Sequence, residues 1–375
     1  MRVALVHSYY RSATPSGENV AVDRQAELLA AAGHEVHIVA RHSDENAVRT
    51  SDKIRLAWQV ARGTGPDPSA ELRSFNPDIV HVHNLFPNFG TRWLTKWHGP
   101  LVATIHNYRP LCANALLLRD GQLCTLCPDG DKWAGVRHAC YRESKLATIP
   151  VAIRNRSGPN HDALLQRAAR VITLSPQAQQ IYEGYGVPAD KIRLLPHGLD
   201  ANLIDPATQT ENRWVSVGRL SPEKGWRWLI ANWPRGKDLD IAGTGPMLAE
   251  LQKSAPPNIH FLGSVDNDEL RRRLPGYRGS VFAGTTPEGA YPLTAVEALA
   301  AGIPLLTRAG GAAARMVERW GCGSIFRDGH ELSERLHQPT TPADRQTALD
   351  TFRDNFTTEA WLSGLLAIYR ELVTR

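Results

Sequence analysis

Short apolar runs separated by stretches of helical spacing recur along the whole chain. That alternation limits the fold more than any other feature. Val3–His7, Glu35–Ala40, Ile79–His83, Leu101–Ile105 and Val171–Leu174 read as buried strands. Val20–Ala32 between the first two has helical spacing, and Gly33 follows it as a helix stop. A second series comprises Trp214–Val217, Leu239–Ala242, Ile259–Leu262, Ser280–Ala283, Pro304–Thr307 and Ser324–Phe326. Strand–helix–strand alternation is the rhythm of a parallel sheet covered on both faces. The 375 residues exceed one typical core. Leu195–Asn212 lacks a period and contains Pro196, Gly198 and Pro206, so the linker is placed there. The expected domains are 1–197 and 198–352, with 353–375 as a C-terminal helix packing back on the first. Two such halves with a cleft between them put a ligand at the strand C-termini.

Charge narrows the partners. A net charge of +5 suits an anionic ligand or membrane surface, and no Lys/Arg block marks a nucleic-acid binder. The N-terminal apolar run is too short for a signal peptide, and no segment approaches a membrane span. A cytoplasmic protein is expected, with peripheral contact at the inner face of the membrane as an extension. Trp93 and Trp97, with Arg92 and Lys96, repeat at four-residue spacing on one helical face. Core packing is the first reading of that face, and contact with a membrane surface the second.

The chemistry is concentrated between Gly218 and Gly302. Gly218-Arg219 should leave the strand Trp214–Val217. Ser221 suits an N-cap, Pro222 the first helical position, and Glu223 complements the dipole. Arg219 and Lys224 then flank a strand-to-helix turn. Arg binds phosphate oxygens in pairs and Lys adds a point charge, so together they can hold a leaving diphosphate. Two solvated surface cations are the competing reading. A further helix should begin near Pro292 or Leu293 and stop at Gly302. Its first-turn amides, at Leu293 and Thr294, can bind phosphate, and Glu297 one turn in can accept two bonds from a ribose diol. A carboxylate that only complements the helix dipole is the competing reading there.

Gly218–Gly225, Gly243-Thr244-Gly245-Pro246 and Glu288–Pro304 occur in this order. Together they resemble the retaining GT-B glycosyltransferases of glycosyltransferase family 4. Pro196-His197-Gly198-Leu199-Asp200 resembles that family's hinge entry, and Ser16-Gly17-Glu18 its Gly-Gly-x-Glu turn. The resemblance implies an α/β fold of two Rossmann-like parallel-sheet domains facing a central cleft. It implies a nucleotide-diphosphate sugar held by the C-terminal half and a hydroxyl acceptor held by the N-terminal half. It assigns Gly17, Arg219, Lys224, Glu288, Leu293, Thr294 and Glu297 to the donor. Three departures stand out. Glu288 and Glu297 are nine residues apart where the family has eight, so a bulge must absorb one residue among Ala290, Tyr291 and Pro292. Ser16 replaces the first glycine of the turn. His106-Asn107 keeps the family's histidine at a strand exit and replaces the Asp that often follows it.

By the same resemblance His106 lies beside the transferred sugar, and His106, Arg219 and Lys224 carry the catalysis. A donor phosphate oxygen takes the acceptor's proton on the face from which the nucleotide leaves, so no cofactor or divalent ion is required. The acceptor would be a saccharide, a lipid-linked sugar or a small molecule, in polysaccharide, glycolipid or natural-product glycoside synthesis. Hydrolysis or epimerisation of a nucleotide sugar on the same fold, and non-catalytic binding, are the alternatives. Asp238-Leu239-Asp240 and Asp266-Asn267-Asp268 read as a strand entry and a helix cap, not as metal ligands. A Rossmann dehydrogenase is disfavoured because the first strand is not followed by Gly-x-Gly-x-x-Gly and Gly243-Thr244-Gly245 lacks its third glycine.

Cys112, Cys124, Cys127 and Cys140 fall within one stretch rich in Gly, Pro and Asp. The two-residue gap in Cys124-Thr125-Leu126-Cys127 allows both thiolates to ligate one metal, and Cys112 and Cys140 could complete a structural zinc site. Reduced buried thiols are the second reading and a disulfide or cluster the third. Cys322 stands apart and reads as structural.

Overall fold

Val3, Ala4, Leu5 and Val6 are fully buried in the strand β1 (Arg2–Tyr9), as expected of a strand covered on both faces. The remaining strands are β2 (Glu35–His42), β3 (Ile79–Asn84), β4 (Leu101–Ile105), a hairpin of β5 (Leu118–Arg119) and β6 (Gln122–Leu123), β7 (Arg170–Thr173) and β8 (Ile192–Leu194). They are followed by β9 (Trp214–Val217), β10 (Leu239–Ala242), β11 (Ile259–Gly263), β12 (Gly279–Phe282), β13 (Leu305–Arg308) and β14 (Gly323–Phe326). The structure, a computed structural model, describes residues 1–10, 17–43, 50–206, 212–286 and 288–373.

The chain divides into two units. The first comprises Met1–Leu117, Cys124–Leu195 and Leu362–Arg375, and the second Leu118–Leu123 and Pro196–Trp361. The chain thus changes unit after Leu195 and again inside its last helix, Thr358–Val373. The first unit holds a six-stranded parallel sheet in the order β2-β1-β3-β4-β7-β8, and the second a six-stranded parallel sheet in the order β11-β10-β9-β12-β13-β14. Each order reverses beside the first strand of its unit, between β1 and β3 and between β9 and β12. In an open parallel sheet such a reversal leaves a crevice outside the strand C-termini.

The first helix is Gly17–Ala31, three residues longer at its start than its spacing predicts, and the last is Thr358–Val373, inside the expected 353–375, whose first three residues end the preceding helix Pro342–Asn355. The strand β8 is three residues long and escaped the sequence reading. Trp93 and Trp97 correct an expectation. They lie at a short 3-10 turn, Arg92–Lys96, instead of on an α-helical face, and Trp93 is buried in the first unit's core. The membrane reading of that pair therefore fails at Trp93.

His81 is sealed in the first unit and structural, as its place inside a strand suggests. The Gln25 amide donates to its Nδ1 at 2.9 Å, which makes Nδ1 the acceptor and leaves the proton on Nε2 for Thr104 Oγ1 at 2.8 Å. The Tyr369 hydroxyl also meets Nδ1, at 2.6 Å. Burial holds the imidazole down at about 3, so it stays neutral near pH 7. Tyr369→Phe removes one member of this buried network, leaves its partners under-satisfied, and should cost about 1–3 kcal/mol. A urea titration checks it, and an unchanged midpoint would contradict the role assigned to the hydroxyl.

Candidate active site

In the second unit the order reversal puts the exits of β9 and β12 side by side. Gly218-Arg219 leaves the first and Ala283-Gly284 the second. The expected cap at Ser221 needs correction. Pro222–Lys224 forms one 3-10 turn, and Ser221 caps no amide with its side chain. Its hydroxyl donates to the Glu223 carboxylate and, at 3.4 Å, to the Arg219 carbonyl. Gly225, at φ +77°, then starts the helix Trp226–Asn232, and a Cβ there would collide with the Ala283 carbonyl. Gly243, at φ +139°, would likewise collide with the Gly218 carbonyl. Backbone bonds from Gly218 to Ala242 (3.0 Å) and from Leu220 to Thr244 (2.9 Å) tie the same loops together. The glycines of the motif thus let three loops close on one point.

Two of the expected donor residues meet there. Lys224 Nζ donates to Glu288 Oε2 at 2.8 Å, both side chains being about a quarter exposed. The residue inserted before Pro292 does not separate them. The Tyr291 ring is buried, 5.7 Å from Trp320 and 5.9 Å from Phe356, and anchors the segment while Glu288 reaches back to Lys224. Arg219 is exposed, and among the described residues its guanidinium has no ion-pair partner. Pro287 lies outside the described residues.

The helix Leu293–Ala300 starts at Pro292 without a side-chain cap, and its first backbone bonds come from Ala295 (2.9 Å) and Val296 (3.3 Å), both to Pro292. The amides of Leu293 and Thr294 therefore precede the helical ladder. Glu297 is largely buried, which pushes its carboxyl up, while Arg271 at 3.1 Å opposes the shift. The sequence reading missed Arg271. The signal was its place in Asn267–Arg273, a helix whose last turn carries three arginines. Asp266 caps that helix, and Asp240 is buried against Arg213 (2.6 Å) and the Tyr277 hydroxyl (2.8 Å). Neither Asp-x-Asp string is a free metal ligand set.

In the first unit His106 follows β4. Its Nε2 meets His83 Nδ1 at 3.0 Å, so one of these two nitrogens carries the shared proton and the tautomers of the two rings are linked. His83 stacks on His81 with centroids 4.3 Å apart. His7 is held neutral, pushed down to about 4 by burial, and its Nε2 meets Asn19 Oδ1 at 3.0 Å. Asn107 accepts from the Arg109 amide at 3.0 Å and donates to Glu18 at 3.5 Å. Glu18, whose burial the sequence did not reveal, receives the Tyr10 hydroxyl at 3.4 Å, and its other oxygen is buried without a partner among the described residues. Gly17 begins the first helix, and a Cβ there would meet nothing within 4 Å, so the protein's own packing does not demand glycine. Ser16, the other half of that turn, lies outside the described residues.

The cysteines share one neighbourhood of the first unit. Burial pushes the Cys127 thiol up to about 11, and Cys112, Cys140 and Cys124 act on it electrostatically. Cys112 Sγ lies 3.0 Å from Asn114 Oδ1. Among the described residues no group of three or more His, Cys, Asp or Glu side chains is placed to hold a metal ion. No helix among them is long and apolar enough to cross a membrane.

Glu18 yields a pH prediction. Burial raises its carboxyl from 4.5 to about 8, so the fold favours the protonated form. That stabilisation is complete below pH 4.5 and is lost as pH rises through about 8. Glu18→Gln removes the titration, so its Tm should gain on the wild type across that window. Parallel Tm–pH curves for the two proteins would contradict the shift.

Comparison with known proteins follows the same division. The profile of Glycosyltransferase Family 4 matches residues 15–203, and that of Glycosyl transferases group 1 matches residues 211–338. A glycogen synthase of Mycobacterium tuberculosis is 25% identical over 82% of this chain and 78% of its own length. A D-inositol 3-phosphate glycosyltransferase of Pseudarthrobacter chlorophenolicus is 24% identical over 86% of this chain and 81% of its own. Among solved structures, sucrose-phosphate synthase from Thermosynechococcus elongatus superposes with a TM-score of 0.67 at 18% identity, covering 100% of this chain and 99% of that one. HepE from Anabaena, in complex with UDP, superposes with a TM-score of 0.61 at 16% identity over the whole of both chains. The two parallel-sheet units have the GT-B architecture of these neighbours.

Proposed function

Because the chain belongs to Glycosyltransferase Family 4 and is a glycosyltransferase, we propose that it moves a sugar from a nucleotide diphosphate to a hydroxyl acceptor, with retention and without a divalent ion. The reading rests on one observation above the others: Lys224 and Glu288 pair where the second sheet reverses its order, on the turn that Arg219 opens. Arg219 and Lys224 take the diphosphate, with the amides of Leu293 and Thr294 as further donors. Glu297 takes the ribose diol, in exchange for part of its pairing with Arg271. Glu288 serves the donor sugar, and His106 keeps the sugar-side role that the family resemblance gives it.

The reaction balances without another reactant. The acceptor oxygen bonds to the anomeric carbon as the bond from that carbon to the phosphate oxygen breaks. The electron pair leaves with the nucleoside diphosphate, and the acceptor's proton passes to a phosphate oxygen. Negative charge grows on the diphosphate during this step, so cations placed in advance favour the transition state. The acceptor belongs to the first unit, and the expected setting is the cytoplasm. Structural zinc on Cys112, Cys124, Cys127 and Cys140 is a separate proposal, supported by the two-residue gap in Cys124-Thr125-Leu126-Cys127.

The UDP carried by HepE makes uridine diphosphate the first nucleotide to test. A thermal-shift panel of UDP, GDP, ADP, CMP and dTDP with their sugars should give one clear stabiliser, because a ligand bound to the folded state raises Tm by mass action. Glu297→Ala should weaken that nucleotide at least tenfold; unchanged affinity would remove Glu297 from the pocket. Turnover of the donor without an acceptor would favour hydrolysis or epimerisation. Elemental analysis of purified protein should find about one zinc per chain, and metal-free protein would end that proposal.

A further inference from the structure

The first unit contains a second recess that the donor chemistry does not use. The helices Thr50–Arg62 and Lys145–Asn155 and the segment after β3 enclose about 270 Å³. Its lining is mostly carbon: Leu56 and Val60 on one side, Ala147 and Val151 on the other, and Phe86 and Tyr141 as aromatic walls. Leu146 stands at this lining with 79% of its surface exposed, an apolar side chain left facing water.

Charge is arranged around the apolar interior. Arg142 is the one charged side chain among the described lining residues. Its guanidinium lies 5.2 Å from the Tyr141 ring, and among the described residues no carboxylate pairs with it. Arg109 lies behind the same walls, 4.7 Å from Phe86 and 5.3 Å from Tyr141, and Arg154 lies 5.6 Å from Phe86. Arg142 and Glu143 hold φ of +55° and +54°, a left-handed conformation that non-glycine residues rarely adopt. The wall is also bonded to the polar cluster. The Phe86 amide donates to Asn84 Oδ1 at 2.9 Å, and Asn84 Nδ2 donates to the Tyr10 hydroxyl at 3.2 Å. From the other side, Asn155 Nδ2 donates to the Arg109 carbonyl at 2.7 Å, in the loop that follows His106.

We propose that this recess holds the apolar part of the glycosyl acceptor, and that the acceptor is an anionic amphiphile. Its alkyl or prenyl chain lies between the two helices, and its phosphate meets Arg142. The inference rests on the transfer reading above, because it names the acceptor of that reaction. Apolar lining selects the chain through burial, and an arginine at the rim that no carboxylate among the described residues pairs with selects the anion. A neutral glycoside of equal chain length satisfies only the first demand, and inorganic phosphate only the second.

Calorimetric titration of the full chain with decyl phosphate, decyl glucoside and inorganic phosphate, each below its micelle concentration, tests the proposal. Wild-type protein should bind decyl phosphate at least tenfold more tightly than either of the others. Ala147→Trp, which fills the recess, should abolish that binding, and Ala57→Trp does the same from the opposite helix. Arg142→Ala should bring decyl phosphate and decyl glucoside to equal affinity. Absence of decyl phosphate binding by the wild type, or equal binding by both filled variants, overturns the site. Nucleotide binding by the same proteins is the control for folding. Its loss in the wild type would strike the donor assignment and leave the amphiphile titration as an independent result.

Discussion

A parallel strand can be followed by its neighbour only through a crossover, and the direction of successive crossovers fixes where a sheet opens. In both sheets the direction reverses once, beside β1 in the first and beside β9 in the second. No helix can cover the strand ends at that point, because the flanking connections lead away to opposite sides. Residues just after those strands are therefore offered to a ligand by topology alone. Arg219, Lys224 and Glu288 have that position in one unit, and Tyr10, Asn84 and the neighbouring His83–His106 pair have it in the other. The glycines of the second unit follow from the same constraint, since its loops can close on the reversal only where no Cβ intervenes.

The polar groups at the two reversals are prepared differently. In the second unit the carboxylates are matched to cations, Glu288 to Lys224 and Glu297 to Arg271. Such pairs keep half-buried charges tolerable without ligand, and each can exchange a partner for phosphate or hydroxyl groups. In the first unit burial dominates. It keeps His7 and His81 neutral and favours the protonated form of Glu18. One unit thus offers charge to an anion. The polar cluster of the other, around Glu18 and His7, offers neutral donors and acceptors.

Much of this was legible in the chain. Eleven strand cores stood out because parallel strands buried on both faces are continuous apolar runs, and the last helix because its spacing is unbroken. The order of Gly218–Gly225, Gly243–Pro246 and Glu288–Pro304 fixed the family. What escaped depends on distance along the chain or on length. The Lys224–Glu288 pair joins residues 64 apart, and spacing could not decide it across an insertion. Arg271 reaches Glu297 from another helix. Glu18 entered the reading only as part of the turn at Ser16-Gly17-Glu18, and its burial depends on residues far along the chain. The strand β8 is too short to show a period, Ser221 bonds its own turn instead of a helix amide, and Trp93 and Trp97 mimic a helical repeat in a 3-10 turn.

The claim that the reversal in the second unit holds a diphosphate is tested most directly by how well the protein separates a nucleoside diphosphate from its bare nucleoside. Both would be titrated calorimetrically into the wild type and into Arg219→Ala, a change on an exposed side chain that breaks no ion pair among the described residues. A charge-assisted bond of about 1.5–3 kcal/mol corresponds to at least a tenfold loss of that discrimination, with affinity for the nucleoside unchanged. The same discrimination in both proteins would contradict the account.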